Sequence, residues 1–167
     1  MRTRRAAAAI AALLSVTVPV MAAAGCSTEP TPSNDRTRST VSTATKTGTG
    51  DVRTDLEPLT KRFGALGTPV SATWMSGTLG GEAPGPSTYW IDAVVELTPE
   101  AASALRSTSP QPTTESPDVE DGMRAAIPSG QLLRSEALDA KFAQGSFRAK
   151  AYLAADSDTV VLVALGQ

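Results

Sequence analysis

Apolar positions change their period several times along this chain, and each change marks an element. Residues 6 to 24 form an uncharged, mostly apolar run. From Leu56 the spacing turns helical: Leu56, Leu59, Phe63 and Leu66 would share one stripe. Thr54 and Glu57 have the spacing of a capping box. Pro58 falls in the first turn, where its missing donor costs least, and Lys61 and Arg62 lie near the end that favours cations. Gly64, Gly67 and Pro69 stop the helix. Val70 to Met75 then alternates as a half-buried strand. Ser76 to Pro86, rich in glycine and proline, reads as a turn-rich connection.

Thr88 to Leu97 is the clearest strand. Tyr89, Ile91, Ala93, Val95 and Leu97 fall on one face, expected to meet the core, and Trp90, Asp92, Val94 and Glu96 on the other. Thr98-Pro99-Glu100 opens a helix reaching about Arg106, with Thr98 as N-cap. Ser107 to Pro117 reads as a surface loop. Ser116-Pro117 resets the cap signal, and Val119, Met123, Ala126 and Ile127 form a short stripe ended by Pro128. Gln131 to Ala143 predicts a helix, with a strand at Gln131 to Arg134 as the alternative. A hairpin closes the chain: Phe147, Ala149, Ala151 and Leu153 alternate with Arg148, Lys150 and Tyr152, Asp156-Ser157-Asp158 turns, and Thr159 to Leu165 is apolar on both sides. The expected class is α+β: one small domain, residues 52–167, with about four mainly antiparallel strands and helices packed on one face.

The leader changes the picture of where this domain works. Arg2, Arg4 and Arg5 precede the apolar run, and small residues close it, the layout of a secretory signal. The run is about long enough to span a bilayer, but Pro19, the many alanines and the lack of a basic flank speak against a retained span. Ala23-Ala24-Gly25-Cys26 then looks like a bacterial lipobox, with Ala23 where leucine is usual. The resemblance implies cleavage between Gly25 and Cys26 and a diacylglycerol on the Cys26 thiol, giving a leader at 1–25. Two acyl chains anchor where one binds marginally. An ordinary signal peptide with Cys26 as a free thiol is the other reading. Thr3-Arg4-Arg5 leaves general and twin-arginine export both open.

Residues 26–51 carry the lipidated cysteine and a flexible tether. Half of Ser27 to Gly50 is serine or threonine, with Pro30, Pro32 and no large apolar residue, too little to offset the entropy of ordering. Its root-mean-square reach is roughly 27 Å; a plain spacer and an O-glycosylated stalk both fit.

Composition excludes more than it selects. The chain has 15 basic and 17 acidic residues, and losing Arg2, Arg4 and Arg5 takes the net charge from −2 to −5. Such a balance does not suit nucleic acid. With no histidine and one cysteine, the chain has no internal disulfide, no Cys/His zinc site and no histidine-activated nucleophile. No cofactor or metal is expected.

Three constellations remain. Asp92 and Glu96 share a strand face, but four residues place them roughly 13 Å apart, wider than the roughly 6.5–9.5 Å of an inverting glycosidase pair. Cross-strand pairing with Arg148 and Lys150 accounts for them instead, if the strands are neighbours. Asp118, Glu120 and Asp121 lack the spacing of a calcium loop and suit a helix start. Trp74, Trp90 and Tyr152 could line a shallow ligand face, where Trp90 beside Asp92 would suit a sugar or a cell-wall fragment; alternatively Trp90 packs under a helix. The glycines between Gly77 and Gly85 lack the context of a phosphate loop.

The lipobox, Val70-Ser71-Ala72-Thr73-Trp74, and Ala83-Pro84-Gly85-Pro86-Ser87 leading into Trp90 to Glu100 resemble small actinobacterial cell-envelope lipoproteins of unassigned role. The resemblance implies export and a lipid anchor at the outer face of the cell membrane, with secretion as the alternative. It implies no substrate. The expectation is a non-enzymatic binding or interaction module held to the membrane through Cys26, with Trp90, Asp92 and Tyr152 as candidate contacts to an envelope protein or glycan. A carboxylate-dependent hydrolase or transferase and a passive spacer are the alternatives.

Overall fold

The computed structural model describes residues 46–47, 50–80 and 87–167. The leader, Gly25, Cys26, most of the tether and Ala83 to Pro86 lie outside them. Seven strands form one antiparallel sheet: β1 (Lys46–Thr47), β2 (Ser71–Leu79), β3 (Thr88–Glu96), β4 (Gln111–Thr113), β5 (Leu132–Arg134), β6 (Arg148–Ala154) and β7 (Thr159–Gly166). Their spatial order is β1-β2-β3-β7-β6-β5-β4. Without the two-residue β1 the sheet is six-stranded. The centre is the pair β3 and β7, in register from Tyr89 opposite Gly166 to Glu96 opposite Thr159.

Alternation along these strands builds two cores. On the first face lie Trp74, Ile91, Ala93, Val95, Ala151, Leu153, Leu162 and Ala164. Three short helices cover it: α1 (Glu57–Arg62), α2 (Pro99–Arg106) and α3 (Glu136–Lys141), through Leu59, Ala102, Leu105 and Leu138, with Phe63 and Phe142 beside them. Phe63 stacks edge-on against Phe142 at 6.3 Å and Phe147 at 5.9 Å. On the second face lie Met75, Trp90, Val94, Tyr152 and Val161, closed by Val119 and Met123. The cover here is a strap, residues 114–128, containing a six-residue 3-10 helix, Asp121–Ala126. A Cβ on Gly122 would stand 3.1 Å from Met75 Sδ, so glycine lets the strap lie close. Over their central residues, Trp90 to Val95 and Val160 to Leu162, both faces of β3 and β7 are therefore dry, as their β-branched content anticipates.

Several expectations hold. Thr98 Oγ1 accepts from the Ala101 N–H with Pro99 in the first turn of α2, and the closing hairpin is β6 and β7. Helices cover one face, as expected, while the strap covers the other.

The four-stranded sheet is corrected to six strands. Two of the extra strands, β4 and β5, come from a segment read as loop and from one read as helix with a strand at Gln131 to Arg134 as the alternative; that alternative holds as β5, and the segment turns helical only after Ser135, whose Oγ accepts from the Leu138 N–H at 3.0 Å. Strand β2 also runs on through Ser76-Gly77-Thr78-Leu79, read as turn, because these residues pair with Thr88 to Ile91. The Thr54 capping box does not form. Leu56 is the N-cap without a side-chain bond, because Arg53 is bridged to Trp74 and holds the chain extended there (N–H···O 2.8 and 2.9 Å). Residues Lys46 and Thr47, within the stretch read as tether, pair with Leu79 and Thr78.

Candidate functional site

Asp92 lies in the middle of β3 with apolar residues on either side, and it is the one fully buried charged residue among those described (0 % exposed). A carboxylate there must be matched by donors or lose its charge. Lys46 supplies the match. Its Nζ donates to Asp92 Oδ2 at 2.7 Å and Oδ1 at 3.0 Å, donates to the Asp118 carbonyl at 2.6 Å, and sits 5.4 Å from the Trp90 ring centre. The Glu120 N–H adds a third bond to Asp92 Oδ2 at 2.7 Å. One buried carboxylate thus joins β1, β3 and the strap. Burial pushes its pKa up, while Lys46 and the Glu120 N–H pull against that.

A second polar cluster pins the start of the strap. Glu115 accepts from Lys150 Nζ at 2.6 Å, Tyr152 Oη at 3.0 Å and Arg134 Nη1 at 2.7 Å. Arg134 also donates to Asp139 Oδ2 at 2.8 Å, and Asp139 Oδ1 accepts from the Ala151 N–H at 2.8 Å. The Lys150 ammonium, and then the Tyr152 hydroxyl, hold Glu115 below the ordinary carboxylate range. Burial, then the facing Glu115 carboxylate, push the Tyr152 hydroxyl well above its usual range.

These contacts show where the sequence-predicted residues among those described lie. The proposed pairing of Asp92 and Glu96 with Arg148 and Lys150 is overturned, because β7 stands between β3 and β6. Asp92 goes to Lys46, Lys150 to Glu115, and Glu96 accepts from Ser71 Oγ at 2.9 Å. Trp90 and Tyr152 are buried at 0 % and 1 % exposure, so with Asp92 all three are taken up in packing and internal bonds. The acidic run is divided: Asp118 offers its carbonyl to Lys46, Glu120 its N–H to Asp92, and Asp121 pairs with Arg124 at 2.9 Å. No group of three or more metal-ligating side chains converges among the described residues.

A concave surface lies elsewhere, on the first face. Strands β2 and β3, nine residues each, extend roughly 30 Å, whereas six-residue α1 covers about 9 Å. The uncovered end is a groove of about 850 Å³, within the range of about 300–1,000 Å³ common for small-ligand sites. Tyr89, half exposed at 50 %, and the edges of Ile91 and Trp74 form its apolar floor, with Phe147 and Pro58 as walls, Glu57, Lys61 and Arg62 along α1, and Arg53 on the extended segment before it. Phe147 can close this end only because Gly166 lacks a side chain; a Cβ there would stand 2.6 Å from the ring. Trp74 is fixed by its Nε1–H to the Asp55 carbonyl (2.9 Å) and by Arg53 stacked at 4.1 Å.

Sequence reasoning missed Lys46, Glu115 and the groove. The signal for a partner to Asp92 was present: an aspartate amid apolar neighbours demands a cation, and Lys46 is the sole lysine of the tether stretch.

No family model matches the chain, and no curated protein or solved structure matches it either.

Two outcomes are expected. Lys46→Met leaves a buried carboxylate without its cation and should cost about 3–5 kcal/mol, most of it regained when Asp92→Leu is added; urea midpoints followed by circular dichroism measure both, and a loss under about 1 kcal/mol would class the pair with weak surface bridges. Glu115, with a depressed folded pKa, contributes stability above its unfolded pKa that is lost as pH falls through the folded one. The stability gap between wild type and Glu115→Gln should be widest at neutral pH and shrink on acidification. Asp92, with a raised pKa, contributes with the opposite sign: its share falls as pH rises between the two values. A gap that stays constant with pH would contradict the Glu115 assignment.

Proposed function

We propose that this protein is a lipid-anchored, non-enzymatic binding module at the outer face of the cell membrane, and that the groove beside α1 is its binding site. The groove is the observation that carries the reading: an apolar floor with an exposed tyrosine, framed by cations, on a sheet whose remaining central surface is closed by helices and strap. A pocket of mostly apolar lining with a few polar groups is the usual form of a small-ligand site. The lipobox-like Ala23-Ala24-Gly25-Cys26 supports the anchor, and the serine- and threonine-rich stretch supports a spacer between anchor and domain. No helix among the described residues is long and apolar enough to cross a membrane.

One preparation tests both parts. A photoreactive phenylalanine analogue replaces Tyr89 in the living cell, in chains with Cys26 intact and with Cys26→Ser. The intact chain should partition with membrane, carry the mass of a diacylglycerol and yield a discrete adduct on irradiation; Cys26→Ser should be released. Equal masses and solubility for the two chains would leave Cys26 a free thiol, and irradiation without an adduct would remove the groove as a binding site.

A further inference from the structure

The floor and the frame of the groove differ in chemistry, and together they specify an occupant. Tyr89 and Phe147 present apolar surface that a purely polar ion would leave unmatched. Among the lining side chains, Arg53, Lys61 and Arg62 stand around it against one acid, Glu57. Two of these cations are partly answered: Arg53 pairs with Asp55 at 2.6 Å, and Lys61 pairs with Glu57 one helical turn away, both in solvent. Arg62 donates to the Pro58 carbonyl at 3.0 Å, and among the described residues its guanidinium meets no carboxylate. A guanidinium with donors to spare beside a lysine is the usual arrangement for an oxyanion. Screened pairs such as Lys61 with Glu57 are weak, so Lys61 can turn to a ligand at little cost.

We infer that the groove takes a single-chain anionic amphiphile, a lipid with an acidic headgroup, its chain on Tyr89 and Phe147 and its headgroup on Arg62 and Lys61. The inference rests on the reading of this groove as the binding site and goes further in naming the ligand class. An uncharged amphiphile would keep only the apolar contacts, and a cationic one would meet repulsion from the frame.

The test uses the full chain with Cys26→Ser, so that no acyl anchor of its own competes. The chain's two tryptophans, Trp74 and Trp90, both line the groove, so tryptophan fluorescence reports filling. Monododecyl phosphate, dodecyl maltoside and dodecyltrimethylammonium are titrated separately, each below its micelle concentration, into this chain and into the same chain with Lys61→Glu and Arg62→Glu. Both substituted residues are exposed, and circular dichroism confirms that the variant is folded. Dodecyl phosphate should bind at least about tenfold tighter than the other two, and the double charge reversal should abolish that preference. Equal binding of all three overturns the ligand class and leaves the groove as a binding site. No binding of any of them, with an adduct still formed at position 89 in cells, overturns the amphiphile in favour of another occupant such as a peptide. No binding and no adduct overturns both the inference and the site on which it rests.

Discussion

A carboxylate at the centre of a sheet sets the terms for the rest of this fold. Removing Asp92 from water costs several kcal/mol unless its charge and lone pairs are met, and the chain meets them from two distant places. Lys46 arrives from before the domain expected on composition, and the Glu120 N–H arrives from the strap. The Lys46 ammonium reaches Asp92 and the Asp118 carbonyl together, so the same charge that neutralises the sheet also draws the strap down over it. Apolar packing of Val119 and Met123 supplies area without direction; the bonds to Asp92 fix where the strap lies.

Closing the second face in this way determines what the first face can do. Packing closes the centre of the sheet on both faces among the described residues, and a groove falls where a short helix fails to cover long strands. The groove beside α1 therefore follows from element lengths, and its polarity from which residues happen to stand at that end: a half-exposed Tyr89, a Phe147 seated on Gly166, and the basic last turn of α1. The same basic residues that suit the helix terminus frame the groove.

Much of the fold was legible because it is local. The alternation in β3, the Thr98 cap with Pro99, and the hairpin with its two-sided apolar strand each depend on neighbours a few residues away. The Ser76 to Leu79 stretch misled because its glycine and serine content resembles a turn, while its pairing with Thr88 to Ile91 is set across the sheet. The segment after Gln131 misled because its apolar residues fit either period, and Ser135 as a cap divides strand from helix. Candidate sites fared differently. Asp92 was singled out with Trp90 and Tyr152 as an outward face, since alternation alone shows that they share a side and not that Val119 and Met123 cover it. The need for a cation at Asp92 was legible, but the pairings of Lys46 and Glu115 were not, because each pairs across more than thirty positions of chain (46 and 35), and the groove leaves no motif.

Amide hydrogen exchange of the full chain at neutral pH, read at the Glu120 N–H, tests the central claim most directly. If Asp92 holds the strap as described, that amide lies in a surface segment yet exchanges as slowly as the amides of β3 and β7, opening only with the whole domain. Exchange at the rate of an exposed loop would mean that the strap opens independently and that the buried carboxylate does not organise the second face.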